Sequence, residues 1–275
     1  MEFIEILKAI FFGIVQGITE WLPISSTGHM ILLDEFIKMD VSKEFMDLFL
    51  VVVQLGSILA VVVLFFHKLN PFSTKKTVQE RRDTLSLWGK VIVAAIPAGI
   101  IGLLFGDEIQ ASCYNFPVVA VALIVYGIAF ILIENKNRNR RPLVKDFNKL
   151  NYRVALVIGI FQILALIPGT SRSGSTILGA ILIGCSRYVA AEFSFFLAIP
   201  MMLGASGLEL IKAGFDFTSS EWVILIVGMV VAFVVSLFAI KFLMNFIKKH
   251  NFKVFGYYRI ILGAILLIYF VFTLI

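Results

Sequence analysis

The sequence predicts an all-α polytopic membrane protein with six transmembrane helices and two re-entrant segments built from broken helices. The first observation is composition, because 60% of the 275 residues are hydrophobic and 15% are charged. A water-soluble globular protein of this length needs more charge on its surface, so that class is excluded. The other two observations are long apolar runs and two shorter runs that break off at polar motifs.

Six apolar runs have close to the roughly 20 residues that an α-helix needs to span a bilayer. Two of them contain one proline each, Pro97 in 88–106 and Pro200 in 190–211, which bundled membrane helices tolerate. Each run is therefore predicted to be a spanning helix. They cover residues 45–66, 88–106, 116–133, 190–211, 222–240 and 256–275.

Two further apolar runs end in clusters of small and hydroxyl residues. Residues 3–22 lead into PISSTGH, and residues 154–167 lead into PGTSRSGS. A helix of about 15 residues is only about 22 Å long, against a hydrocarbon core of about 30 Å. The second run therefore cannot cross the membrane unaided, and both are predicted to be re-entrant.

The connections between the runs differ sharply in positive charge. Connections 67–90, 134–153 and 241–259 contain six, seven and five Lys or Arg residues, whereas 107–115 has none and 212–221 has one. Cytoplasmic connections carry the excess of Lys and Arg, so the first three are predicted to be cytoplasmic. Residues 154–189 must then enter and leave on that face. The first broken segment enters from the opposite face, and the cavity it helps to form is predicted to open there.

An internal similarity relates the two halves of the chain. Residues 13–32 overlay residues 159–178 at a constant offset of 146, with identities at Gly13, Ile14, Gln16, Ser25, Gly28, Ile31 and Leu32. Because the two segments enter from opposite faces, the repeat predicts inverted topology with both broken tips near the midplane. We expect a single integral membrane domain, 1–275, with halves 1–134 and 154–275 joined by a basic cytoplasmic connection, 135–153.

The ionisable residues of the two tips predict what the site binds. Arg172 would cost about 2.5–3.5 kcal/mol at the centre of a bilayer, so it needs a partner, and the other tip offers Glu20 and His29. Arginine grips phosphate oxygens, and Gly169 and Gly174 would let backbone N–H groups approach an anion. The predicted phosphate-binding set is Ser25, Thr27, Gly169, Thr170, Ser171, Ser173, Gly174 and Thr176.

The stretches QGITEWLPISSTGH (16–29) and PGTSRSGST (168–176) resemble the two signature motifs of the bacterial undecaprenyl-pyrophosphate phosphatase family, also called the bacitracin-resistance protein family. The resemblance implies hydrolysis of undecaprenyl pyrophosphate to undecaprenyl phosphate, the carrier recycled for cell-wall polymers, in the bacterial plasma membrane. It places the family's functional positions on Gln16, Glu20, Ser26, His29 and Arg172. Because Gln16 stands where some members have Glu, the charge at this motif falls on Glu20.

For the reaction, we expect Ser26 to be the nucleophile and His29 to be its general base, or the acid toward the leaving phosphate. His29 as the direct nucleophile is the alternative. Arg172, helped by Ser171, Ser173 and Thr176, would neutralise the charge on the transferred phosphoryl group.

The resemblance also implies a divalent cation, Mg²⁺ or Ca²⁺, with Glu20 as its carboxylate ligand and Gln16 as a candidate second ligand. Expected partners are the polyprenyl pyrophosphate, membrane lipid and a second copy of the chain in a homodimer; no nucleic acid is expected. A competing hypothesis is a secondary transporter or polyprenyl-phosphate flippase, because inverted repeats with broken helices are typical of transporters.

Overall fold

The computed structural model describes residues 3–214 and 216–273, and these are helical almost throughout. Within them, the only β-type contact is one isolated bridge, between Val144 and Cys185. The predicted all-α class is confirmed. The helices are α1 (Phe3–Thr19), α2 (Ser26–Phe36), α3 (Lys43–Val52), α4 (Gln54–Leu64), α5 (Phe66–Leu69), α6 (Val78–Cys113), α7 (Phe116–Lys136), α8 (Tyr152–Ile163), α9 (Arg172–Leu182), α10 (Arg187–Ala213), α11 (Ser219–Phe246) and α12 (Lys253–Thr273), with a 3₁₀ turn at Leu164–Leu166.

Six helical segments of the described chain are long and apolar enough to cross a bilayer, as predicted. They are α6, α7, α10, α11, α12 and the pair α3–α4, so the protein is a multi-pass membrane protein. Helix α6 begins ten residues before the predicted 88, because Thr77 and Glu80 form a capping box in the polar sequence before the apolar run. Residues 274 and 275 of the last predicted span lie outside the described residues.

Each broken segment begins and ends at the same end of the helical bundle. Before and after α1–α2, the backbone N–H of Asp40 donates to Glu5 Oε2 at 3.0 Å, and Lys8 Nζ donates to the carbonyl of Lys38 at 2.7 Å. Around α8–α9, the N–H of Leu143 donates to the carbonyl of Gly184 at 2.8 Å. This arrangement fits the two predicted re-entrant segments, whose placement in a bilayer stays a prediction.

The first helix of each half packs against the other half. Helix α1 lies along α11, α8 lies along α6, and α7 lies along α12. These approaches are close, since a Cβ on Gly127 would lie 2.7 Å from the carbonyl oxygen of Gly256, and a Cβ on Gly256 would lie 2.7 Å from that of Gly127. Packing of each half's first helix on the other half is compatible with an inverted repeat. The repeat and the division into halves stay predictions.

One prediction about the connections is wrong. Arg259 was counted among the charges of the basic connection 241–259, although it also falls in the predicted span 256–275; it lies inside α12 with none of its side chain exposed. The helix begins at Lys253, before the apolar run, and its first turn packs on α7 through Gly256. Lys241 and Lys253 also lie in helices, near the end of α11 and at the start of α12, so the connection itself, 247–252, keeps Lys248 and Lys249.

Candidate active site

The two broken tips have the same unusual backbone. Ser25 and Ser171 have φ values of 75° and 74°, and among the described non-glycine residues only these two have positive φ. Each serine hydroxyl accepts the N–H three residues on, from Gly28 at 3.3 Å and from Gly174 at 3.1 Å, and so caps a short helix. This left-handed conformation is energetically unfavourable for non-glycine residues, and such backbone strain is concentrated at functional sites.

The first residue of each capped helix contacts one shared carboxylate. Ser26 Oγ donates to Glu20 Oε2 at 2.8 Å, and Arg172 Nη2 donates to Glu20 Oε1 at 3.1 Å. Gln16 Nε2 donates to the same Oε2 at 3.0 Å. Glu20 is therefore the partner that the largely buried Arg172 requires, and it joins the two tips.

A second set of contacts fixes the direction of the Arg172 side chain. Its Nη1 donates to the carbonyl of Ser194 at 2.7 Å, and Thr176 Oγ1 donates to Ser194 Oγ at 2.8 Å. The guanidinium carbon lies 5.9 Å from the ring centre of Trp21. With both terminal nitrogens held, Nε remains as a buried donor with no partner among the described residues. The Arg172 guanidinium is thus held in a fixed orientation before any anion binds.

These groups border a cavity of about 190 Å³ between the tips. Its lining includes Glu20, Ser26 and Arg172 together with Gln54 and Gln162. The other predicted site residues that line it are Thr27, Gly169 and Ser171.

A larger cavity, of about 630 Å³, shares part of this lining. It runs between α6 and α10 to Asp47, Gln110 and Glu209 at the far end. The site is therefore continuous with a long, mainly apolar channel.

Five residues of the predicted phosphate-binding set do not line the small cavity. Ser173 connects the tips, since its Oγ donates to the carbonyl of Glu20 at 3.2 Å, whereas the N–H of Gly174 is used within its own tip by the Ser171 cap. Their positions set the geometry of the loops. These residues are Ser25, Thr170, Ser173, Gly174 and Thr176.

His29 does not line either cavity, and both of its ring nitrogens have hydrogen-bond partners. Nδ1 is 2.7 Å from the carbonyl oxygen of Ser25, and Nε2 is 2.6 Å from Tyr258 Oη. A carbonyl only accepts, so Nδ1 carries the proton, and in the neutral ring Nε2 accepts from the tyrosine. The structure therefore does not bring the His29 ring into hydrogen bonding with Ser26.

Arg259 is the principal site residue that the sequence reasoning missed. Its guanidinium donates to the carbonyl of Pro23 at 3.2 Å and to the carbonyls of Gly169 and Thr170 at 2.7 and 2.9 Å. Pro23 and Gly169 occupy equivalent positions at the offset of 146, so the Arg259 side chain binds the equivalent backbone carbonyl of both tips. The available signal was an arginine inside an apolar run of spanning length, which marks a buried, functional charge.

Comparison with known proteins places the chain in a family. The family profile described as "Bacitracin resistance protein BacA" matches residues 9–265. The chain is 65% identical to "Undecaprenyl-diphosphatase 1" of Clostridioides difficile, over 97% of each chain. It is 61% identical to "Undecaprenyl-diphosphatase" of Enterococcus faecalis, over 99% of this chain and 100% of the relative. The resemblance of the two motifs is thus confirmed, and the chain belongs to the bacitracin resistance protein BacA family.

Proposed function

We propose that the protein hydrolyses undecaprenyl pyrophosphate to undecaprenyl phosphate and inorganic phosphate. Family membership and the names of the relatives support this substrate. The observation that carries the proposal is the Glu20 carboxylate, which holds the hydroxyl of Ser26 and the guanidinium of Arg172 at the border of one cavity. A nucleophile, a proton acceptor and a phosphate-binding cation are the groups that phosphoryl transfer needs.

The first chemical step forms a phosphoserine. Ser26 Oγ bonds to the terminal phosphorus while the bond from that phosphorus to the bridging oxygen breaks. The proton of Ser26 passes through Glu20, to which it is already hydrogen-bonded, to the departing undecaprenyl phosphate. Arg172 balances the charge that develops on the transferred group, which is where catalysis of phosphoryl transfer largely resides.

In this scheme Glu20 takes the role of proton acceptor that the sequence suggested for His29. Its carboxylate already accepts from Ser26, whereas the His29 nitrogens face Ser25 and Tyr258. His29 then orients the carbonyl of the left-handed Ser25 and so the tip that presents Ser26. Acid treatment after rapid quench separates the alternatives, since phosphoserine survives acid and phosphohistidine does not; an acid-labile label lost in His29→Ala would contradict Ser26 as the nucleophile.

A divalent cation, Mg²⁺ or Ca²⁺, fits the donor set at Glu20. Gln16 Oε1 is buried without a hydrogen-bond partner in the described residues, next to the carboxylate that the amide nitrogen of Gln16 contacts. Glu20 and Gln16 would therefore hold the ion, with phosphate oxygens and water completing its shell, as is common for Mg²⁺. Bound there, it would supply charge neutralisation to the pyrophosphate.

The larger cavity is the route for the polyprenyl chain in this proposal, and it opens to the extracytoplasmic face. Its far end reaches Gln110, in a stretch without Lys or Arg, whereas the basic connections 67–90, 134–153 and 241–259 bond to one another at the opposite end. In intact cells, Gln110→Cys should react with an impermeant thiol reagent and Asn137→Cys should not, both in a Cys113→Ser background. The reverse pattern would invert the orientation.

Purified protein in detergent tests the activity directly. Incubation with undecaprenyl pyrophosphate should release inorganic phosphate and undecaprenyl phosphate in equal amounts. Movement of the lipid across reconstituted vesicles without phosphate release would instead favour the transporter or flippase hypothesis.

A further inference from the structure

Gln162 is a buried polar side chain that the reaction scheme above does not use. It lies on α8, is 1% exposed, and lines the 190 Å³ cavity that Ser26, Glu20 and Arg172 border. Neither its Oε1 nor its Nε2 has a hydrogen-bond partner in the described residues. Native proteins rarely leave a buried amide wholly unpaired, so this one points to a ligand in the cavity.

The equivalent residue of the first half has a different task. At the offset of 146, Gln162 corresponds to Gln16, whose Nε2 donates to Glu20 at 3.0 Å. The position that corresponds to Glu20 in the second half is Leu166, so Gln162 has no carboxylate to hold. Its whole amide is therefore available to a ligand, whichever way round the oxygen and nitrogen are assigned.

The chemistry of an amide selects among the ligands that this reaction brings into the cavity. Ionised phosphate oxygens only accept hydrogen bonds and would satisfy Nε2 alone, and a cation would satisfy Oε1 alone. Water both donates and accepts hydrogen bonds, so water can satisfy Oε1 as well as Nε2. The cavity is several times the roughly 30 Å³ that one water occupies in the liquid, so it has room for water beside a phosphoryl group.

We propose that Gln162 binds and orients the water that hydrolyses the phosphoserine formed on Ser26, an inference that rests on the proposed function. In this step the water oxygen bonds to phosphorus and the bond from phosphorus to Ser26 Oγ breaks. One proton of the water passes through Glu20 to Ser26 Oγ, and inorganic phosphate keeps the new hydroxyl. Glu20 ends unchanged, and no further reactant is needed.

Gln162→Met tests this role, because it keeps the length of the side chain and removes both polar atoms. Rapid-quench measurement of the two products separates the steps, since undecaprenyl phosphate leaves in the first and inorganic phosphate in the second. We expect a first turnover that releases close to one undecaprenyl phosphate per enzyme, followed by inorganic phosphate release slowed about 100-fold, the cost of a misplaced reactant. Acid-stable label from the terminal phosphate should accumulate on the protein and should be absent in Ser26→Ala.

The burst in Gln162→Met also reports a folded, substrate-binding enzyme, and Gln79→Met, on the exposed surface of α6, should behave as wild type. Equal slowing of both products in Gln162→Met would overturn the proposal and assign Gln162 to substrate binding. Wild-type rates for both products would overturn it as well. Failure of the proposed function is a separate result, in which the wild-type enzyme itself releases no phosphate from the lipid.

Discussion

The two tips of the site have one backbone and two chemistries. Ser25 and Ser171 take the same left-handed conformation and cap equivalent helices, yet the next residue is the hydroxyl of Ser26 in one half and the guanidinium of Arg172 in the other. Both reach Glu20. The shared backbone thus places one side chain from each half next to Glu20. Because those side chains differ, the first tip supplies the nucleophile and the second supplies the phosphate-binding cation, and the site needs both.

The largest effect should come from removing the nucleophile of the first tip. Ser26→Ala is expected to lower turnover by about 10⁴-fold or more at every pH, because among the described residues no other hydroxyl donates to the Glu20 carboxylate. Phosphate release from undecaprenyl pyrophosphate measures the loss. Substantial residual turnover, without label on the protein after quench, would indicate direct attack by water.

The cation of the second tip should follow. Arg172→Lys keeps the charge, but one ammonium group cannot hold Glu20 and the Ser194 carbonyl in the fixed fork and still present a donor to the cavity. We expect turnover to fall by about 10²–10³-fold. Arg81→Lys, on the exposed surface of α6, is the matched control. Near-normal turnover in Arg172→Lys would show that charge balance, and not the planar fork, is what the site needs.

Composition and apolar run length were enough to predict the helical membrane class and its six candidate spans, because a bilayer imposes length and hydropathy directly. The pairing of Glu20 with Arg172 was also predictable, since two unlike charges in an apolar chain have few other partners. The resemblance of the two motifs added the family.

Hydrogen bonds between distant segments were beyond sequence reasoning. The His29 ring meets Tyr258, which lies 229 residues away in the chain, and nothing in the spacing of Ser26 and His29 reveals that contact. Arg259 was counted as a charge of the basic connection 241–259, although it falls inside the predicted span 256–275. Five of the eight predicted phosphate-binding residues do not line the small cavity, a distinction that composition alone cannot make.

Arg259 tests whether the two tips work as one unit. Its guanidinium holds the carbonyls of Pro23 and Gly169, and Arg259→Lys would lose at least one of these charge-assisted bonds. Each such bond contributes about 1.5–3 kcal/mol, so we expect kcat/KM to fall by about 10-fold and the thermal midpoint in detergent to fall as well. Unchanged kcat/KM and an unchanged thermal midpoint in Arg259→Lys would show that the positive charge alone suffices and that the bonds to the two carbonyls do not hold the tips together.

The smallest effect concerns the point at which the two backbones differ. Where the first tip has Pro23, the second has Gly169 at φ +88°, and a Cβ there would lie 2.6 Å from the carbonyl oxygen of Val119. Gly169→Ala should therefore reduce the free energy of unfolding by about 1–3 kcal/mol, combining left-handed strain with that close contact. Gly207→Ala is the control, because its helical site has nothing within 4 Å of the added Cβ and should be neutral or slightly stabilised. Chemical denaturation in detergent measures the free energy of unfolding of both variants. Equal stability of the two would mean that α7 can move away from the second tip without cost. The two halves would then not be packed rigidly together, as the shared site requires.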